Sequence, residues 1–270
     1  MPVNPAAART FQDLHNAGLL ILANAWDAGS ARLIESLGAK AIATTSCGVA
    51  WAHGYPDGDF LPMDRVVWTV DSIARVVSVP VTADVEGGYS DDPAEVGANV
   101  ARVIEAGAVG VNIEDGPAPV DLTCRKIAAA REAADRLGLD LFINARCDVY
   151  LRGLAPAGAQ VAETLARGTK YRDAGASGLF APGVVDPGEI RDLVAGSAMP
   201  LNVMARNGLP DGAGLEALGV QRLSSGGDLA EALYGRLRDL AGDFLRTGDS
   251  EPLDKGAMSY PDLNALMVKG

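Results

Sequence analysis

The chain has 270 residues, 48% hydrophobic and 21% charged, and its 35 acidic against 23 basic side chains leave a formal charge of −12. That balance repels nucleic-acid backbones and anionic lipid, excluding both as partners, and no apolar run approaches the roughly 20 residues that cross a bilayer. The opening MPVNPAAARTFQDLHNAG has no signal pattern, and Cys47, Cys124 and Cys147 form no C-x-x-C pair, so a reduced, soluble cytoplasmic protein is expected.

Eight short β-rich runs follow in chain order: LLILAN near 19–24, AIATT at 41–45, PVTAD at 80–84, GVNIE at 110–114, LFINAR at 141–146, GLFAP at 178–182, PLNVMA at 200–205 and VQRLSS at 220–225. Between them lie amphipathic segments, several opening on an Asp or Ser cap and closing on Gly. In DPAEVGANVARVIEAG, Val96, Val100, Val103 and Ile104 share one face, which should lie on a sheet. This alternation predicts a single (β/α)8 barrel, with a doubly wound open sheet as the alternative. Residues 1–246 are read as the barrel domain. Residues 247–270 cannot form a second core and are expected to pack on the barrel or on a partner subunit.

A barrel collects its chemistry at the C-terminal ends of its strands. There the sequence turns polar or glycine-rich, as NAWD, TTSCG, DVEGG, EDG, ARCD, APG, ARNG and SSGG. Asp27, Asp84, Glu86, Glu114, Asp115 and Asp148 gather at these ends and would repel one another without a cation. Asp84 and Glu86, separated by one residue, project to the same face if the extended geometry continues, and Glu114 ends the neighbouring strand. Only two histidines occur, His15 and His53, so a metal must be held by oxygen, which favours Mg²⁺ or Mn²⁺. Any one of these acids serves equally well as a helix cap or an arginine partner; three at successive strand ends favour the metal.

Arg146, in NARCD, can grip a carboxylate with two parallel hydrogen bonds or stabilise an oxyanion; pairing with Asp148 or Glu114 is the alternative and is compatible with either. The hydroxyls and backbone N–H groups of TTSCG suit a small carboxylate. Cys47 has no assignable base and reads as a small buried thiol, Cys124 as part of a helix face, His53 as a surface imidazole, and the tryptophans as packing residues.

The stretch NAWDAGSARLIESLGAKAIATTSCGVAWAHGYPDGD, then TADVEGGYSDDP, GVNIEDG and INARCDVYL, resembles the isocitrate lyase and phosphoenolpyruvate mutase superfamily from about Asn24 to Gly227. The resemblance implies a (β/α)8 barrel that binds Mg²⁺ and a small 2-oxo acid, with the last helix exchanged between subunits of a homodimer or homotetramer. By matching motif, Asp84 is the direct metal ligand, and Asp57, Glu86 and Glu114 hold the metal's waters. Thr45, Ser46 and Cys47 hold the substrate carboxylate, and Arg146 contacts the same ligand. Arg146, Asp57 and Glu114 are the expected catalytic residues. The Lys-x-Cys-Gly-His loop of the lyases is missing, as is the mutase gating loop: EDGPAPVDLTCRKIAAAREAA runs almost directly into a helix.

What remains is the shared chemistry, in which a metal chelated by a 2-oxo acid stabilises an enolate. The leading expectation is a Mg²⁺-dependent carbon–carbon lyase or decarboxylase acting on a small 2-oxo or 2-hydroxy diacid, with water or Tyr89 as proton donor. Phosphonopyruvate hydrolase or mutase-like C–P chemistry is one alternative. A non-catalytic 2-oxo-acid binding protein is the other.

Overall fold

The computed structural model describes residues 3–268; Met1, Pro2, Lys269 and Gly270, at the ends of the two expected segments, lie outside the described residues. The strands are β1 (Leu20–Leu22), β2 (Asn24–Ala25), β3 (Ile42–Thr44), β4 (Val81–Asp84), β5 (Gly110–Glu114), β6 (Phe142–Arg146), β7 (Gly178–Phe180), β8 (Leu201–Met204) and β9 (Arg222–Ser224). All pair in parallel, in the order β1-β9-β8-β7-β6-β5-β4-β3-β2. Since β1 and β2 are one stretch of chain interrupted at Ala23, the two ends of this order meet and the sheet closes. The architecture is the (β/α)8 barrel, with its first strand divided between two neighbours. Asn24 makes the joint: its N–H donates to Ser225 Oγ at 2.9 Å, its Nδ2 to the Thr44 carbonyl at 2.7 Å, and its Oδ1 accepts from Gly226 N at 3.1 Å.

Helices cover the outside. Pro93–Glu105 follows its Asp92 cap and buries Val96, Val100, Val103 and Ile104, as their spacing requires. Asp27 closes a capping box with Ser30 on the helix Ala28–Ser36. This acid therefore belongs to a helix end. After β5 the chain turns through residues 115–119 and enters the helix Val120–Arg136, which leaves no room for an inserted loop.

Inside the barrel, period-two alternation sends Asn112 toward the axis, where it accepts from Asn144 Nδ2 at 2.9 Å and from Arg222 Nη2 at 3.3 Å across the ring. Arg222 is 1% exposed, and the N-terminal helix Pro5–Leu14 closes the barrel floor beneath it with Phe11. The Phe11 ring meets Phe142 edge-on at 5.5 Å, and His15 stacks on Phe142 at 3.9 Å. Glycine at 110 permits this closure, because a Cβ there would stand 2.8 Å from Phe11 Cε1 and 2.9 Å from Thr82 Oγ1.

Beyond β9 runs the helix Asp228–Thr247, which buries only Ala230 and leaves Leu229, Leu233, Leu237 and Phe244 exposed. The last helix, Tyr260–Met267, returns to the barrel, where Arg32 Nε donates to the Leu266 carbonyl at 3.1 Å. No helix among the described residues is long and apolar enough to cross a membrane.

Candidate active site

The alternation that points Thr82, Asn112 and Asn144 inward carries Asp84, Glu114 and Arg146 to the barrel mouth, two residues further along the same strands. Asp84 lies in register with Asn112, and Glu114 with Arg146. The extended geometry does not continue past Asp84: Glu86 takes a left-handed φ of 50°, so it reaches the mouth from a turn and not from the strand face. Neighbours hold it there. Glu86 Oε2 accepts the N–H groups of Gly58 at 2.9 Å and Asp59 at 2.5 Å, and Oε1 accepts the Tyr89 hydroxyl at 2.8 Å. The loop that contains exposed Asp57 is thereby folded over Glu86, and Asp57 adds its charge to the fields at Asp84 and Glu86. Tyr89, bound to Glu86 with its phenol pushed above its ordinary value by burial, is an anchor for that acid.

Glu114 Oε2 pairs with Arg146 Nη1 at 2.5 Å, and Arg146 turns its Nε and Nη2 to Asp148 at 2.7 and 3.2 Å. The pairing of Arg146 with acids therefore holds, and it keeps the guanidinium at the mouth. The remaining acids are committed elsewhere. Asp115 accepts Arg167 Nη1 at 2.9 Å, the Tyr171 hydroxyl at 2.8 Å and the Asp148 N–H at 2.8 Å.

Burial pushes up the carboxyls of Asp84 and Glu114 against the pull of Arg146, and raises Glu86 to about 7. Desolvated acids that repel one another are what a divalent cation would discharge. Among the described residues no side chain hydrogen-bonds the Asp84 carboxylate; it is held by the backbone N–H groups of Glu86, at 3.2 Å, and Ser46, and feels the charge of Arg146. Among those residues no group of three or more His, Cys, Asp or Glu forms a ready-made metal cage. The donor set at the mouth is all oxygen, the chemistry that a hard divalent cation takes.

Thr45 and Ser46 are buried where β3 passes into the helix Ser46–Ala52, and Thr45 Oγ1 lies 3.2 Å from Cys47 Sγ. Burial raises the Cys47 thiol, so it is not an activated nucleophile. His53 turns to Thr69 Oγ1 at 3.1 Å and packs its ring edge against Trp68. Cys124 sits on the helix Val120–Arg136.

Three features escape the sequence reading. Asp59 accepts the Tyr89 N–H at 3.2 Å; Lys126, a buried lysine, donates to the Gly87 carbonyl at 2.9 Å and braces the loop that carries Glu86; Arg152 joins Arg146 on Asp148. Lys126 and Arg152 come from helices whose spacing marks only a packing face. A cavity of about 260 Å³ opens beside Glu114, lined also by Asp59, Gly116 and Lys126.

Comparison with known proteins agrees with this fold. The phosphoenolpyruvate phosphomutase family model matches residues 11–245. Uncharacterized protein Rv1998c of Mycobacterium tuberculosis (strain ATCC 25618 / H37Rv) is 36% identical over 262 residues, 96% of each chain. Oxaloacetate decarboxylase of Pseudomonas fluorescens (strain SBW25) is 28% identical over 241 residues, 82% of this chain and 78% of the decarboxylase. A solved structure from Burkholderia cenocepacia J2315 shares 42% identity with a TM-score of 0.83, covering 87% of this chain and 99% of the other. Phosphonopyruvate hydrolase, solved in complex with oxalate and Mg²⁺, shares 25% identity with a TM-score of 0.83 over 96% of this chain and 94% of its own. The chain belongs to the phosphoenolpyruvate phosphomutase family, within the isocitrate lyase superfamily that its strand-end motifs resemble.

Proposed function

We propose that the protein is a Mg²⁺-dependent enzyme that cleaves a carbon–carbon bond in a small 2-oxo or 2-hydroxy diacid, as a lyase or decarboxylase. The observation that carries this reading is the placement of Asp84, Glu114 and Arg146 on adjacent strands at the mouth, with no side-chain hydrogen bond to the Asp84 carboxylate among the described residues. A bound Mg²⁺ supplies Lewis-acid stabilisation of charge developing on the substrate oxygens. Asp84 would hold the ion, and Asp57, Glu86 and Glu114 would orient waters around it. Arg146, held in place by Asp148, grips the substrate carboxylate together with the backbone and hydroxyls of Thr45, Ser46 and Cys47. Because Tyr89 is committed to Glu86, water supplies the proton.

Mn²⁺ substitutes for Mg²⁺ in such an oxygen set. The decarboxylase among the relatives supports this reading, and the hydrolase with its bound oxalate supports C–P cleavage as the second. A screen of 2-oxo, 2-hydroxy and phosphono acids with Mg²⁺, reading turnover and thermal shift together, separates them. Pyruvate release from oxaloacetate or a related diacid is the expected result. Phosphate release from phosphonopyruvate favours the second reading, binding without turnover makes the chain a 2-oxo-acid binding protein, and neither binding nor turnover removes the site.

The exposed leucines of the helix Asp228–Thr247 support a homo-oligomer in which this helix packs on, or exchanges with, a second copy. The residues after Arg246 would then form an extension apart from the barrel domain. Replacing Leu233 and Leu237 by Lys should convert the oligomer to monomer in light scattering; a wild-type chain already monomeric defeats the idea.

A further inference from the structure

We propose that Arg152 reads the second acidic group of the substrate and so makes the site selective for dianions; this rests on the metal-site reading given under the proposed function. Arg152 ends the short helix Val149–Arg152 directly after β6, and its Nε donates to Asp148 Oδ2 at 2.9 Å. Asp148 is fully buried and is the same carboxylate that holds Arg146. Its backbone N–H is bound in turn to Asp115, which Arg167 and Tyr171 fix from the other side. Two guanidinium groups thus hang from one immobile anchor, so neither is free to wander as a surface arginine does.

Their remaining donors are used differently. Arg146 spends its third nitrogen, Nη1, on Glu114. Arg152 uses only Nε, and its Nη1 and Nη2 have no hydrogen-bond partner among the described residues, although the side chain is 46% exposed. These two nitrogens form the edge of the fork that binds a carboxylate or phosphonate bidentately. One of them, Nη2, lies beside Gly116, a residue that lines the cavity next to Glu114. A Cβ built on Gly116 would stand 3.9 Å from both Arg152 Nη2 and Glu114 Oε1, so a glycine gap is what separates the guanidinium from the mouth. Gly116 has a φ of 48°, a conformation that favours glycine and keeps the gap open. A 2-oxo acid gripped by Arg146 would extend its far end toward this second, pre-oriented fork, and a monoacid would leave it unused.

The test compares wild type, Arg152→Met and Arg152→Lys by calorimetry with Mg²⁺ present, using malate and 3-phosphonopyruvate as dianions and pyruvate as the monoanion. Arg152→Met keeps the apolar stem and leaves Asp148 paired with Arg146, so the fold is retained, and equal melting temperatures check this. The expected loss in dianion affinity is about 10–100-fold, the scale of one charge-assisted hydrogen-bonded contact, with pyruvate affinity unchanged and Arg152→Lys in between. The preferred dianion tells whether the fork takes a carboxylate or a phosphonate. Equal loss for pyruvate and the dianions would show that Arg152 only braces Asp148, and no loss for either would show that it touches nothing; both overturn the inference while leaving the metal site standing. Failure of the wild type to bind any of the three overturns the metal-site reading and this one with it.

Discussion

The two ends of the barrel are built by the same strands and obey opposite rules. At the floor, Phe11, His15 and Phe142 pack in ring contact, and burial together with the charge of Arg222 lowers His15 to about 3, so the imidazole is neutral. At the mouth, two inward positions further along β6 from Phe142, Arg146 stands among Glu114, Asp148 and Asp84, and burial pushes Glu114 up to about 8 against its pull. The floor pairs a neutral ring with hydrocarbon and spends its side chains on closure. The mouth keeps repelling acids in a desolvated place, an arrangement that costs stability and suits binding.

The first way to break this comparison is Asp84→Asn. If the mouth is organised for a cation, Mg²⁺ affinity read by calorimetry should fall more than the roughly 10–100-fold seen when an outer partner of a metal is removed. The melting temperature should hold or rise, since a repelling charge is lost. Unchanged Mg²⁺ affinity would refute the assignment of the site.

Next comes Gly110→Ala at the floor. The added methyl meets Phe11 and Thr82, and the expected loss is about 1–3 kcal/mol of unfolding free energy in denaturant titration, with ligand affinity at the mouth untouched. An equal loss of affinity would mean that the two ends are not separable.

The effect that vanishes at neutral pH and grows only on acidification is the pH slope from His15. Its Nδ1 donates to the Phe11 carbonyl at 2.8 Å, and its folded pKa of about 3 lies below the ordinary 6.5. Between those values the unfolded chain takes up a proton that the folded one refuses, so stability falls as pH falls, by at most about 1.4 kcal/mol per pH unit. His15→Asn should flatten the stability profile between pH 6.5 and 4 relative to wild type. Parallel profiles would place His15 in water.

Much of the barrel was legible because alternation and caps are local. Val96, Val100, Val103 and Ile104 declare a buried helix face by spacing, and Asp84, Glu114 and Arg146 declare themselves by ending apolar runs. The division of the first strand at Ala23 was not legible, because it answers to two different neighbours on either side of the barrel seam. Whether extended geometry continues from Asp84 to Glu86 was not legible, and the φ of the turn, set by the loop that folds over it, shows that it does not. Lys126 was invisible because it braces the Glu86 loop from a helix some forty positions along the chain, and Arg152 because nothing local shows that it shares Asp148 with Arg146.

Sequence alone therefore determined the parallel barrel, the side of each strand that faces inward and the family to which the strand-end motifs belong, since all of these follow from periodicity and short contiguous patterns. Tertiary structure decided which acids remain unpaired. Asp27 went to a helix cap, Asp115 and Asp148 to arginines, and Asp84 to no side-chain hydrogen bond among the described residues, because partners brought from distant segments compete for each carboxylate and no spacing along the chain ranks them.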